Sequence, residues 1–376
     1  MINFISNLPK DLRSGGFSAL GCAAFQALRQ FDHAHYVGPI NPGAILSQKL
    51  LSRISRRAGF QGSFFLFSHR RLELVAQEVQ AQCLPDAQLD FFHGFTPWIL
   101  TKPERPYVAL SDCTFRDYVD LYHCRAQFQT EDLERIEKAE AAWLRNARGV
   151  LFTSDWAVRR AVAHYGLDPD RVGSVGIFGE IEMPPHDAFV GGKDFAFISY
   201  DFQAKGGPTA VTALRTVREH HPEAGLIVIG EQPRGTVSGD GVRFVGCLRK
   251  EIPDEYQQYK QILGRARALV HPTRRRDIAP LVIIEAGYLG CPVISAASAA
   301  IPELVEHGRT GVLLEDASQP STVANAMRWM LENADEYQQM RQAVSVRTRE
   351  QHSRSQFDKR LISYLREAGQ HAGLPV

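Results

Sequence analysis

Several familiar signals are missing from these 376 residues, and each absence removes a class of protein. Cys22, Cys83, Cys113, Cys124, Cys247 and Cys291 include no Cys-x-x-Cys pair, so neither a zinc site nor a disulfide framework is indicated and reduced thiols are expected. His33-Ala34-His35 and His123-Cys124 are too isolated to argue for a metal site. No stretch reaches the roughly 18 apolar residues of a membrane span, and Met1-Ile2-Asn3-Phe4-Ile5 lacks the charged start and long apolar run of a signal peptide. A cytoplasmic protein is therefore expected. A formal net charge of +1 gives no global pull toward nucleic acid or membrane, so any electrostatic preference must be local. The dinucleotide fingerprint Gly-x-Gly-x-x-Gly is also absent, since the first loop reads Ser14-Gly15-Gly16-Phe17, which counts against a nicotinamide dehydrogenase.

What is present is ordinary globular composition, 44% apolar and 23% charged, in a chain longer than one hydrophobic core usually supports. Short apolar runs alternate with longer helical patterns throughout, the mark of βα units around parallel sheets. In the first series the strand candidates are Ile2-Phe4-Ile5, Tyr36-Val37, Phe64 to Phe67, Asp90 to Phe92, Tyr107 to Leu110, Val150 to Phe152 and Val172 to Ile177, with a helix carrying Leu20, Phe25 and Leu28. The second series runs from Phe195 to Ile198 through Leu226 to Ile229, Val242 to Val245, Ala268 to Val270, Val293-Ile294 and Gly311 to Leu314. Prolines and glycines in 184–193 break the composition between them, and the linker is placed there. The expected fold is α/β, with two Rossmann-like doubly wound parallel-sheet domains at 1–183 and 194–350 and a last helix within 351–376.

The segment 33–72 contains Lys49, Arg53, Arg56, Arg57, Arg70 and Arg71 and no Asp or Glu. Leu46, Leu50, Leu51 and Ile54 recur in it at helical spacing. This is either a core-facing helix with a solvated basic face or a basic amphipathic helix lying on an anionic membrane, so peripheral contact with the inner membrane face through 45–71 stays open.

Chemistry concentrates around Arg274-Arg275-Arg276-Asp277-Ile278-Ala279-Pro280-Leu281-Val282-Ile283-Ile284-Glu285. Pro280 suits the first turn of a helix, so Asp277 precedes that helix and Glu285 sits inside it. A helix N-terminus offers unpaired N–H groups to a phosphate, and nearby carboxylates accept from sugar hydroxyls. The combination suits a nucleotide sugar. Lys205-Gly206-Gly207-Pro208 follows the first strand of the second domain, where the lysine is a mobile charge for a phosphate and the glycines allow close approach. Gly15-Gly16 opens the first helix of the other domain, serving either a diphosphate or the backbone conformation.

Asp277-x7-Glu285-Ala286 through Gly290-Cys291-Pro292-Val293-Ile294, then Ile301-Pro302-Glu303 to Gly311, resembles the donor-site signature of GT-B glycosyltransferases, specifically the large retaining family four. Gly15-Gly16, Thr153-Ser154-Asp155-Trp156, Lys205-Gly206-Gly207 and Ile229-Gly230 extend the resemblance along nearly the whole chain. It implies an interdomain cleft with the acceptor held by the first domain, a linker that lets the domains close, and a last helix that crosses back to the first domain. It further implies that Glu285 holds ribose hydroxyls, Asp277 contacts the donor sugar, and Lys205 with Gly206 neutralises the diphosphate. Amides of Gly16, Leu281 and Val282 would complete the cradle beside Gly15 and Pro280, with the nucleobase in the turn at Gly246. The implied reaction is metal-independent sugar transfer to an acceptor hydroxyl in polysaccharide, glycolipid or other glycoconjugate synthesis. It uses no cofactor beyond the nucleoside-diphosphate sugar itself.

The chain departs from that pattern in three places. Asp277 replaces the usual glutamate, one methylene longer. Tyr200 stands where an arginine usually precedes the phosphate lysine; Arg276 or one of its neighbours is the cation at hand to replace it, although a triple arginine is more often a solvated loop. Ser111-Asp112 follows a strand where many members carry a histidine, which leaves Asp112 and His93 as acceptor-side candidates. These departures motivate a second reading, a noncatalytic sugar-nucleotide or glycan-binding protein. A sugar-nucleotide epimerase fits less well, because no acid–base pair for it is identifiable.

Overall fold

The computed structural model describes residues 1–12, 15–43, 60–185, 191–233, 239–273 and 277–370. They form two units, Met1–Ile177 with Phe357–Val376, and Phe178–Gln356. Each is built on a six-stranded sheet whose strand pairs are all parallel. The units part at Ile177, ahead of the 184–193 segment expected as linker, of which 186–190 lie outside the described residues.

In the first unit β1 (Ile2–Ile5), β2 (Ala34–Val37), β3 (Leu89–His93), β4 (Tyr107–Ser111), β5 (Gly149–Phe152) and β6 (Val172–Ser174) are arranged in the order β2-β1-β3-β4-β5-β6. Strands β1, β4 and β5 are buried along their whole length, which is why they read as continuous apolar runs rather than alternating ones. Helices α1 (Gly16–Phe31), α2 (His69–Gln82), α3 (Phe115–Tyr122), α4 (Thr130–Asn146) and α5 (Asp155–Tyr165) supply the crossovers. The strand expected at Phe64 to Phe67 is instead a 3-10 turn over Phe65–Phe67. The Phe64 N–H donates to Asp132 Oδ2 at 2.7 Å rather than to a neighbouring strand. The Phe64 ring packs edge-on against Phe115 at 5.1 Å. An apolar run of four residues satisfies a strand template and a packed aromatic turn equally well.

Of the basic segment, 44–59 lie outside the described residues. Arg71 is buried and donates to the carbonyls of Pro42 and Leu66 and to Asn41 Oδ1, so this cation staples the chain locally and presents no charge to a lipid surface. The last helix, α12 (Arg354–Gln370), joins the first unit through Tyr364, whose hydroxyl donates to the Arg171 carbonyl at 2.6 Å. A Cβ at Gly149 or Gly173 would come within 2.7 and 2.9 Å of that ring, so two glycines in adjacent strands make the recess it fills.

A buried carboxylate ties the helices of this unit together. Glu140 on α4 accepts from Thr96 Oγ1 at 2.6 Å, from the Phe115 N–H at 2.6 Å and from the Tyr165 hydroxyl at 2.8 Å. Burial lifts it from 4.5 to about 7 against those hydrogen bonds. A carboxyl raised on folding contributes full stability below its unfolded value and loses it as pH climbs through the folded one. His93, pushed down from 6.5 to about 4 by burial, has the opposite slope, its contribution being lost as pH falls. Glu140→Gln is therefore expected to remove the alkaline loss. Between pH 5 and pH 7 the variant should gain about 2 kcal/mol relative to the parent, read from urea midpoints. Parallel pH profiles for the two proteins would refute the assignment.

In the second unit β7 (Phe195–Ser199), β8 (Leu226–Gly230), β9 (Val242–Gly246), β10 (Leu269–His271), β11 (Val293–Ala296) and β12 (Gly311–Leu314) stand in the order β12-β11-β10-β7-β8-β9. Its helices are α6 (Gly207–Arg218), α7 (Pro253–Arg265), α8 (Leu281–Tyr288), α9 (Ile301–Leu304), α10 (Pro320–Glu332) and α11 (Ala334–Gln351). The chain builds outward from β7 through β8 to β9, then returns to place β10 on the other flank of β7. That is the doubly wound order with a switch point between β7 and β10, where the loops leaving two adjacent strands diverge and leave a crevice. No described helix is long and apolar enough to cross a membrane.

Candidate functional site

The switch point of the second unit brings Lys205 and Asp277 together. Lys205 lies in the turn that leaves β7, its N–H bonded to the Asp201 carbonyl at 3.0 Å. Gly206 then caps α6 with φ at 83°, in the left-handed region that side chains resist. A Cβ there would sit 2.1 Å from the Pro272 carbonyl, so glycine is what lets this loop lie against the end of β10. The Lys205 ammonium forms an ion pair with Asp277 Oδ1, and His271, the last residue of β10, holds Oδ2 through Nε2 at 3.1 Å. Burial pushes the Asp277 carboxyl up, but His271 and Lys205 outweigh it and hold the group below its ordinary value, so it stays ionised at neutral pH. His271 is itself fixed to the sheet, its carbonyl accepting from Ser295 Oγ at 3.1 Å.

Pro280 is the N-cap of α8, one position before the helix rather than in its first turn, with ψ at 120°. Asp277 therefore precedes the helix and Glu285 lies inside it, as the spacing suggested. Leu281 and Val282 open the helix half-buried, and their N–H groups belong to its unpaired first turn. Glu285 is 0% exposed, and both its oxygens are engaged. Oε1 accepts from Lys250 Nζ at 2.6 Å and from the Glu180 N–H at 2.9 Å, and Oε2 accepts from the Tyr259 hydroxyl at 2.5 Å. Lys250 also reaches Glu180 Oε2 at 3.1 Å. Burial pulls the Lys250 ammonium down, but the two carboxylates prevail and raise it, so it remains a cation. Burial also raises Glu180, with Lys250 opposing and the charge of Glu285 adding to the rise.

Lys250 and His271 escaped sequence reasoning. A histidine ending a strand six positions before the acid was the available signal for His271; nothing in Leu248-Arg249-Lys250 separates the lysine from a solvated turn. Tyr200 follows β7 and is 77% exposed. Gly246 ends β9 with φ at 78° and open space where a Cβ would stand. Arg276 lies outside the described residues, as do Arg274 and Arg275. Beyond β10, β11 and β12 a pocket of about 570 Å³ opens between Thr273, Ser298, Glu315 and Asp316.

In the first unit the switch point lies between β1 and β3. Gly15 caps α1 with φ at 94°, and Gly16 is the first helical residue. His93 ends β3, but its ring is fully buried, stacked on Phe17 at 4.2 Å with Nδ1 3.2 Å from Ser6 Oγ. A Cβ at Gly21 would strike the same ring at 2.4 Å. His93, expected as an acceptor-side candidate, is thus a buried histidine that its burial keeps neutral, and the apolar wall that closes over it was invisible as spacing. Asp112 follows β4 half-buried, with Ser111 Oγ 3.4 Å from its Oδ1, and burial raises its carboxyl.

With that geometry established, residues 192–333 match the family described as Glycosyl transferases group 1. The matched segment lies within the second unit. It is 29% identical over 142 residues to a phosphatidyl-myo-inositol mannosyltransferase of Propionibacterium freudenreichii, covering 38% of this chain and 35% of the relative. The chain thus spans about a third of the length of that curated relative. Solved structures share the fold along the whole chain. Sucrose-phosphate synthase from Thermosynechococcus elongatus superposes with a TM-score of 0.68 at 16% identity, covering 98% of this chain and 99% of that one. Anabaena HepE in complex with UDP and glucose gives 0.64 at 16% identity, covering 97% and 98%. The group 1 segment contains Lys205, Lys250, His271, Asp277 and Glu285.

Proposed function

We propose that this protein transfers a sugar from a nucleoside-diphosphate sugar to an acceptor hydroxyl, with retention at the anomeric carbon and no metal ion. The observation that carries the reading is the ion pair of Lys205 with Asp277 at the switch point, just ahead of the first turn of α8. A diphosphate entering there exchanges with Asp277 for the lysine. That leaves the Asp277 carboxylate, still oriented by His271, to accept from a hydroxyl of the donor sugar. As the bond from the anomeric carbon to the diphosphate oxygen breaks, negative charge grows on the leaving group. Lys205 and the N–H groups of Leu281 and Val282 are placed to stabilise it. The acceptor oxygen forms the new bond on the same face, and its proton passes to a phosphate oxygen of the donor, so no enzyme carboxylate becomes a covalent nucleophile. In this scheme Gly15 and Gly16 serve the donor diphosphate and Asp112 the acceptor, and the matched relatives favour a glycan or glycolipid acceptor.

Thermal-shift measurements with UDP, GDP, ADP and their sugars test the reading. A ligand at about a hundred times its Kd stabilises the folded state by about 2.7 kcal/mol, so one of them should raise Tm by several degrees. No shift with any nucleoside diphosphate would sink it. One observation favours a second reading, binding without turnover: the position that usually carries the phosphate-site arginine is held by Tyr200, which is exposed. Slow hydrolysis of the donor by the parent protein, lost in Lys205→Ala, excludes that alternative.

A further inference from the structure

A second charged site lies at the opposite end of the first unit's strands from the loops that carry Gly15 and Asp112. A pocket of about 500 Å³ opens there, lined by Lys102, Arg105, Arg148 and Arg171 with Tyr107 and Trp143, and no Asp or Glu is among its lining residues. The arginines enter at staggered levels of the sheet: Arg105 two residues before β4, Arg148 directly before β5 and level with Tyr107, Arg171 directly before β6 and level with Gly149. These are three neighbouring strands, paired Val108 with Gly149 and Val150 with Val172. Adjacent strands are roughly 4.8 Å apart, so the three entries lie close together at one end of the sheet, and all three arginine side chains line the same pocket. The Arg148 N–H is fixed to the Tyr107 carbonyl at 2.8 Å, and the Tyr107 hydroxyl to the Trp143 carbonyl. These bonds tie the entries of β4 and β5 and the helix residue Trp143 together beside the pocket.

Two of the cations carry ion pairs. Arg105 pairs with the buried Asp90 at 3.1 Å, and Arg171 with the exposed Asp168 at 3.5 Å. Lys102 is exposed at the rim. Four positive groups converging on one concavity raise the local concentration of anions, and planar guanidinium groups select oxyanions that accept two hydrogen bonds at once. The volume is that of a small-molecule site, and the close pair of Tyr107 and Trp143, 4.9 Å between ring centroids, gives it an aromatic base.

We propose that this pocket binds a phosphate ester, carried either by a small soluble molecule or by a lipid headgroup, at a place separate from the loops given to donor and acceptor. The proposal does not rest on the transferase reading. The test uses the full chain carrying Lys205→Ala, so that binding at the donor loop is removed in every arm. Inorganic phosphate is titrated by calorimetry, and phosphatidylcholine vesicles with and without phosphatidic acid are sedimented with the protein. Adding Lys102→Gln with Arg171→Gln, both at exposed positions, should weaken whichever probe binds by roughly tenfold or more. Adding Arg148→Gln should weaken it further. If that last variant loses its circular dichroism spectrum, the exposed pair decides the matter. Phosphate binding that falls in the variants identifies a soluble ligand; vesicle binding that falls, without free phosphate binding, identifies a headgroup. Binding of neither probe, or equal binding by parent and variants, overturns the proposal.

Discussion

Lys205→Ala is expected to lower sugar transfer by about 10² to 10³ while leaving the fold intact, because a preorganised donor aimed at developing charge contributes on that scale. The lysine comes from one loop of the switch point and its partner Asp277 from the other, so its removal deletes a charge without opening a core. Asp277 keeps His271 at 3.1 Å and so remains oriented. Loss should fall on kcat more than on KM, since the charge that Lys205 meets grows as the diphosphate leaves. Lys205→Arg retains the charge but not the compact ammonium beside Asp277, and an intermediate rate is expected. Steady-state kinetics with the donor found by thermal shift decide the point: an unchanged kcat in Lys205→Ala would remove the lysine from the mechanism.

The second large effect concerns Glu285. Glu285→Ala leaves a buried ammonium with one carboxylate fewer and a buried tyrosine hydroxyl without its acceptor. Losing one partner of a buried pair typically costs about 3 to 5 kcal/mol. A drop of about 3 kcal/mol is expected here, softened by the remaining contact of Lys250 with Glu180, and urea denaturation measures it. Glu285→Gln still accepts from the Glu180 N–H and should lose less. The milder variant also separates the structural role from the ribose role. If Glu285 holds ribose, Glu285→Gln weakens binding of a nucleoside diphosphate but not of inorganic pyrophosphate, which has no ribose. Equal weakening of both would place the effect in packing alone.

The two cases show where the sequence was legible. A parallel strand buried on both faces must be apolar throughout, so most strands announced themselves; Lys205 stood out because it follows a strand beside two glycines, and Asp277 and Glu285 because they flank a helix start ahead of a strand entry. The contacts that decide how these residues behave come from elsewhere in the chain. Lys250 and Tyr259 meet Glu285 only once α7 packs beside α8, and Glu180 reaches it from the segment that begins the second unit. None of these leaves a periodic trace. The same limit explains His93, whose strand-end position suggested chemistry while Phe4, Phe17 and Gly21 enclosed it. It also explains Phe64 to Phe67, where four apolar residues feed an aromatic cluster rather than a ladder.

Tyr364, in its recess over Gly149 and Gly173, has a consequence for biogenesis. The ribosome releases residues 1–177 first, yet the ring that completes their unit belongs to a helix made after the entire second unit. At roughly 5 to 20 residues per second the intervening segment takes on the order of 10 to 40 s to synthesise. Throughout that interval the nascent first unit carries an open notch beside β5 and β6. Its final closure waits until Tyr364 has emerged, and the second unit, contiguous in sequence, is free to fold before the first is finished.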